Sequence, residues 1–533
     1  MRKRSFGLLA FIISAIFVIS ACSSGSESSP SPSSSSGNGA SESSGSDNGS
    51  KEINIAIDQN FVTLDPHNAG DTVSIFGTRS MYEGLVGFDQ NMDVVPVLAE
   101  DYTVSEDTLT YTFKLREDVT FHDGEPFNAA AVEANFNRIM DEENDLRAKR
   151  SFQYIDSLEV VNDYEVKFIL SEPFSAMLNK FAMVPMASPA AINDDSKELS
   201  LNPVGTGPFQ FSEWNQGDSL VVTKYAEYWD PEATNVEQVT YKPVPENGAR
   251  AAMLKTGEAD FVYPVPQQNV SELEKEEGIV IEQTPSTIAR YVSINTFMEP
   301  FDNENVRKAM NLAVNKEAYI QVVKNGYGNI LDSTMSSETQ FYSQQEPYTF
   351  DVEKAKELMA EAGYEDGFEA EIWGNTSSET IKGMEFIQQQ LAQIGIDVTI
   401  KSMEEGTLSN EIYTPQTPEE AKVQMWYVSW SPSSGDADGA TRSLFSTEYF
   451  PPNGANTAYY NNSQVDEWIN AANQTADPEE QADIYANIQS EVYEDAPWIF
   501  LGVDTLLSGH PDHLEGVYVL PDGSISIKNA QLK

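Results

Sequence analysis

The stretch FKLREDVTFHDGEPF, residues 113–127, decides the fold class of this chain. It closes the run LTYTFKLR, residues 109–116, in which Leu109, Tyr111, Phe113 and Leu115 alternate with polar neighbours. A period of two marks a β-strand with one face buried. Phe121-His122-Asp123-Gly124 then supplies a turn, because Asp and Gly tolerate the backbone angles that a chain reversal needs. Asn128 follows, a residue suited to capping a helix over Ala129-Ala130-Ala131-Val132. Strand, turn and helix thus succeed one another at short range, as in mixed sheets with covering helices and unlike a helical bundle.

The same alternation recurs outward from this stretch. Residues 53–58, INIAID, read as a strand, and so do Val166–Leu170. PVGTGPF, residues 203–209, is a rigid glycine-bearing turn leading to Phe211–Trp214. The second half is richer in helices, over Glu304–Val314, Glu317–Val323, Val352–Glu361, Ser378–Ile394, Val465–Ala472 and Pro478–Tyr493. Gly363 and Gly395 stand where two of them stop. The class is α/β, or mixed α+β.

Residues 52–533 are too many for one compact core, so at least two lobes are expected. Ahead of them, Arg2-Lys3-Arg4 precedes an apolar run from Leu8 to Ile19 and then Ile19-Ser20-Ala21-Cys22. This pattern predicts a signal peptide over 1–21 of the lipoprotein kind, with Cys22 as the lipid attachment. Cys22 is the chain's one cysteine, so neither disulfides nor thiol catalysis are expected. Residues 22–51 are dominated by Ser, Gly, Pro, Asn, Glu and Asp and read as a disordered tether. The expected location is extracytoplasmic, on the cell membrane.

The chain carries 32 basic and 84 acidic residues, a net charge of −52. Such a surface repels nucleic acid and anionic lipid. The acids are spread along the chain, as suits a salty or alkaline exterior. An anionic ligand held by such a molecule needs local donors.

Enzyme signatures are missing: no G-x-S-x-G elbow, phosphate loop, dinucleotide fingerprint or H-E-x-x-H is present. The four histidines are His67, His122, His510 and His513; proline between the last two argues against a metal pair, and no metal or cofactor is expected. Among 84 acids, a chance pair of carboxylates carries no weight as a glycosidase signature.

WYVSWSPSSGDAD, residues 426–438, is the richest candidate site. Trp426 and Tyr427 lie on a strand and are equally consistent with core packing. Trp430 stands where that strand ends and Ser431–Gly435 turn, and loops after strand ends are where open sheets bind ligands.

YEGLV (82–86), FKLREDVTFHDGEPF (113–127), PVGTGPF (203–209) and PFDNENVRKAMNLAVN (300–315) together resemble the family 5 extracellular solute-binding proteins. These are the peptide and nickel receptors of ABC importers. RYVSIN (290–295), FIQQQLAQIGI (386–396), Trp430–Asp438 and PPNGANTAYY (451–460) are most similar to its glutathione-binding members.

The resemblance implies a bilobed type II periplasmic-binding-protein fold, of the three-domain cluster C, with a ligand cleft between two lobes. Lobe 1 is expected over 52–285 and 505–533, with a smaller domain inserted at about 91–203; lobe 2 is expected over 286–504. The partners it implies are a small glutathione-like peptide and an ABC permease, with the receptor a monomer. In peptide-binding relatives an aspartate three residues after the tryptophan holds the ligand's ammonium; here that position is Ser433, and Asp436 and Asp438 are the nearest acids. Arg290 is the expected carboxylate ligand, with Tyr291, Asn295, Trp373 and Trp430 as pocket walls; Arg79 and Arg250 are weaker candidates. Two other readings stay open: a di- or oligopeptide, nickel-chelate or haem receptor, and a secreted hydrolase.

Overall fold

The computed structural model describes residues 51–194, 198–432 and 434–533. The expected signal peptide, nearly all of the expected tether, Cys22 and Ser433 lie outside the described residues.

The opening stretch forms the elements its pattern predicts. Thr110–Leu115 is a strand, and Ala129–Met140 is a helix whose Asn128 side chain accepts the Ala131 N–H at 3.1 Å. The strand belongs to a four-stranded antiparallel sheet in the order Ala99–Val104, Thr110–Leu115, Glu165–Leu170, Ile155–Asn162. This helix and the shorter Met177–Ala182 seal it through an aromatic cluster: Phe136 packs on Phe168 with ring centroids 4.6 Å apart, and Phe113 packs on Phe181 at 5.0 Å. This body has its own core, from Leu85 to Met186.

A larger sheet of eleven strands organises the rest. Two long neighbouring strands, Ile279–Ile294 and Trp498–Pro511, run along its middle. On one side lie Met425–Trp430, Phe368–Asn375 and Ile396–Met403. On the other lie Phe261–Tyr263, Glu52–Ile57, Gln238–Pro243, Ser219–Lys224 and Phe209–Asn215. Parallel pairing of Glu52–Ile57 with Gln238–Pro243 places these strands in the interior, and Ile53, Ile55 and Ile57 are all buried.

The cores divide the chain as the sheet does. One gathers Ile53 to Phe261 with Leu514 to Ala530; two others draw only on residues between Ala289 and Val503. The fold is therefore bilobed, with the Leu85–Met186 body beside the first core. The described chain passes between the halves along the two long strands. There the ladder slips: Pro285 pairs with Thr505 and Ala289 with Val503, so Ser286, Thr287 and Ile288 stand opposite Asp504 alone. The Ser286 hydroxyl donates to the Asp504 carbonyl at 2.7 Å and pins the bulge. Among the described residues no helix is long and apolar enough to cross a membrane.

Candidate ligand-binding cleft

The strand Met425–Trp430 delivers its two ends to different environments. Tyr427 turns into the core, where its hydroxyl meets that of Tyr319 at 2.5 Å. Trp430, at the strand's end, is only half buried; its indole N–H donates to the Gly439 carbonyl at 3.1 Å, which fixes the ring. The ring walls a cavity of about 1010 Å³.

That cavity lies between the halves of the molecule. Tyr413, Trp430, Glu448, Tyr449 and Gly454 face it from the Ala289–Val503 side, and Arg147, Arg150 and Gln153 from the other. Its aromatic wall and sparse charged groups are the usual make-up of a small-molecule site. Arg147 and Arg150 sit on the short 3-10 helix Arg147–Phe152, anchored by buried Phe152 and by the Ala148 N–H, which donates to the His67 carbonyl at 3.1 Å.

Asp436 and Asp438 line a second, smaller cavity of about 430 Å³, together with Met92, Asn179, Gln481 and Tyr485. Both are buried and both are engaged. Asp436 caps the helix Ala437–Phe445 and accepts the Lys180 ammonium at 2.8 Å. Burial pushes its carboxyl up, but Lys180, Ser434 and the Gly439 N–H outweigh burial and hold it below the usual range. Asp438 takes Arg442 at 2.9 Å and the Asn473 amide at 3.0 Å; burial, with Asp436 close by, raises its carboxyl despite Arg442. Neither acid faces the Trp430 cavity.

Arg290 lies beside the bulge, paired with Asp504 at 2.8 Å and Glu379 at 3.4 Å. Lys324 completes the cluster on the same two acids, 2.8 Å from each. Burial opposes the charge on Arg290, and the facing carboxylates more than restore it. The remaining expected wall residues pack inside the half to which they belong. Tyr291 stacks on Trp498 at 3.6 Å, the Asn295 amide donates to the Val423 carbonyl at 3.1 Å, and Trp373 packs among Leu408, Ile412 and Val423. Arg250 binds the Pro264, Val244 and Pro245 carbonyls, and Arg79 pairs with Asp522. Of the described residues expected at the site, the cleft thus gathers Trp430 and leaves the others in the core, at the bulge or at the smaller cavity.

Arg147 and Arg150 were not singled out by the sequence. A signal was there: Arg147, Lys149 and Arg150 put three bases into four residues of a strongly acidic chain.

Residues 93–451 match the model of the bacterial extracellular solute-binding proteins, family 5. The chain belongs to that family. Its members are solute-binding receptors of ABC importers and not enzymes, so the hydrolase reading is set aside. The chain is 40% identical over 487 residues to the glutathione-binding protein GsiB of Escherichia coli (strain K12), covering 91% of this chain and 95% of that protein. It is 41% identical, with the same coverage, to GsiB of Salmonella typhi. Among solved structures, HbpA2 from Haemophilus parasuis superposes with a TM-score of 0.82 at 26% identity, covering 90% of this chain and all of that one. The dipeptide-binding protein from Pseudoalteromonas sp. SM9913, in complex with Met-Leu, superposes with a TM-score of 0.74 at 27% identity, with the same coverage.

Proposed function

We propose that this chain captures glutathione, or a closely related γ-glutamyl peptide, outside the cytoplasm and hands it to an ABC permease. What carries the reading is likeness at 40–41% identity along 91% of the chain to glutathione-binding proteins. The cleft walled by Trp430 is the proposed seat of the ligand, in place of the Arg290 and Asp436/Asp438 surroundings expected from the sequence. Residues 52–285 with 505–533, carrying the insert at about 91–203, form one lobe and 286–504 the other; they hinge at Ser286–Ile288 and Asp504. A lipid on Cys22 and the Ser-rich tether of residues 22–51 hold the monomeric receptor within reach of its permease.

A receptor of this kind closes because ligand touches both lobes, and it stabilises closure only by contacts that the open form lacks. Thermal unfolding with added solutes tests the reading. Glutathione at 100 times its dissociation constant stabilises by about 2.7 kcal/mol, and simple dipeptides leave the midpoint unmoved. A shift with Met-Leu and none with glutathione makes the protein a dipeptide receptor instead.

A further inference from the structure

Nine arginines lie among the described residues, and seven of them make a hydrogen bond or an ion pair. Arg147 and Arg150 are the two that make none. Four of the seven meet carboxylates, and Arg116, Arg250 and Arg307 meet backbone carbonyls; the two arginines with no partner of either kind line the same cavity. Across from them, Glu448 lines the same cavity and makes no bond to any described residue. The cavity is therefore lined by two unspent cations and one unspent anion, with the Trp430 ring in the same wall.

We propose that Arg147 and Arg150 are the carboxylate-recognition pair of this receptor and that Glu448 receives the ligand's ammonium. The assignment rests on the glutathione reading above. It selects for solutes with two carboxylates and one ammonium, the charge inventory of a γ-glutamyl peptide. Guanidinium matches carboxylate with two parallel hydrogen bonds, and burying a carboxylate without such a partner is prohibitive. The geometry also gives closure its cause. The arginines stand on the Leu85–Met186 body and Glu448 on the Ala289–Val503 side, so one zwitterion ties the two together. Each group is presented from a fixed support: the arginines from the short helix that Phe152 anchors, Glu448 from the turn where Thr447 donates its hydroxyl to Asp466 at 2.6 Å.

Titration calorimetry on the folded chain tests this with three probes: glutathione, its glycyl ethyl ester and N-acetylglutathione. Wild type binds the free acid more tightly than the ester. Arg147→Gln and Arg150→Gln each weaken glutathione about tenfold or more, the scale of a charged hydrogen bond, and one of them abolishes the preference for acid over ester. Glu448→Gln weakens glutathione and leaves N-acetylglutathione unchanged. If wild type binds glutathione and the Arg147→Gln/Arg150→Gln double variant binds it equally well, the assignment falls while the glutathione reading stands. If wild type does not bind glutathione, both fall.

Discussion

Lys180 and Asp436, 256 residues apart in sequence, meet at 2.8 Å across the junction between the Leu85–Met186 body and the other half of the molecule. The lysine also donates to the Ser434 hydroxyl at 2.8 Å, and the neighbouring Asn179 amide reaches the Ser434 carbonyl at 2.9 Å. This contact fills the acid that sequence reasoning assigned to the ligand.

Lys180→Met leaves Asp436 buried without its cation. Losing one partner of a buried pair costs about 3–5 kcal/mol. The acid limb carries the signature. Asp436 has a depressed folded value, so its contribution is complete above the unfolded value of about 3.9 and is lost as pH falls through the folded one. Without Lys180 burial prevails, the folded value rises, and the acid-unfolding midpoint moves to higher pH. An unchanged midpoint by circular dichroism removes Lys180 from this role.

Lys316 predicts the opposite limb. It is buried, with its ammonium on the Asn311 carbonyl and Tyr348 near by, and burial brings it down to about 7. The unfolded chain binds that proton up to about 10.4, so stability rises with pH between the two values. Urea unfolding at neutral and alkaline pH shows the rise in wild type, and Lys316→Met flattens it.

Trp430 and Trp373 separate binding from stability. Trp430→Ala removes a cleft wall and weakens ligand with little loss of stability. Trp373→Ala empties a core site and costs about 3–5 kcal/mol, with affinity kept. Paired calorimetry and urea unfolding check both, and equal ligand affinity in the two variants refutes the division.

Arg290 and Asp504 belong to one network with Lys324 and Glu379. Arg290→Ala lowers stability, and its effect is not additive with Asp504→Asn. A double-mutant cycle returns a coupling of about 0.5–3 kcal/mol. A coupling near zero shows the pair to be spectators.

Local signals were legible in the sequence, and long-range ones were not. Asn128 announced its helix because a cap acts over three residues, and the strand end at Trp430 was legible from its alternation and the turn after it. The engagement of Arg290 could not be read there, because its partner Asp504 lies 214 residues away, and a paired guanidinium looks the same in sequence as a vacant one. Arg147 and Arg150 went unseen for the converse reason: lacking a partner is a property of the folded surroundings. Tyr291 shares a strand with Arg290, but neighbours on a strand point to opposite faces, and Asn295 follows that strand's last residue, Ile294.

The slipped rungs at Ser286–Ile288 have a mechanical corollary. Both crossings are adjacent strands bonded to each other above and below the slip, so the connection behaves as a strap and not as two loose cords. Shear along the strands would break the paired ladder on either side, and twisting would tear one strand from the other. Flexing across the width of the strap falls on the three residues already out of step with Asp504. Closure of the proposed receptor is thereby a single bend, and its direction was set when the ladder was laid down.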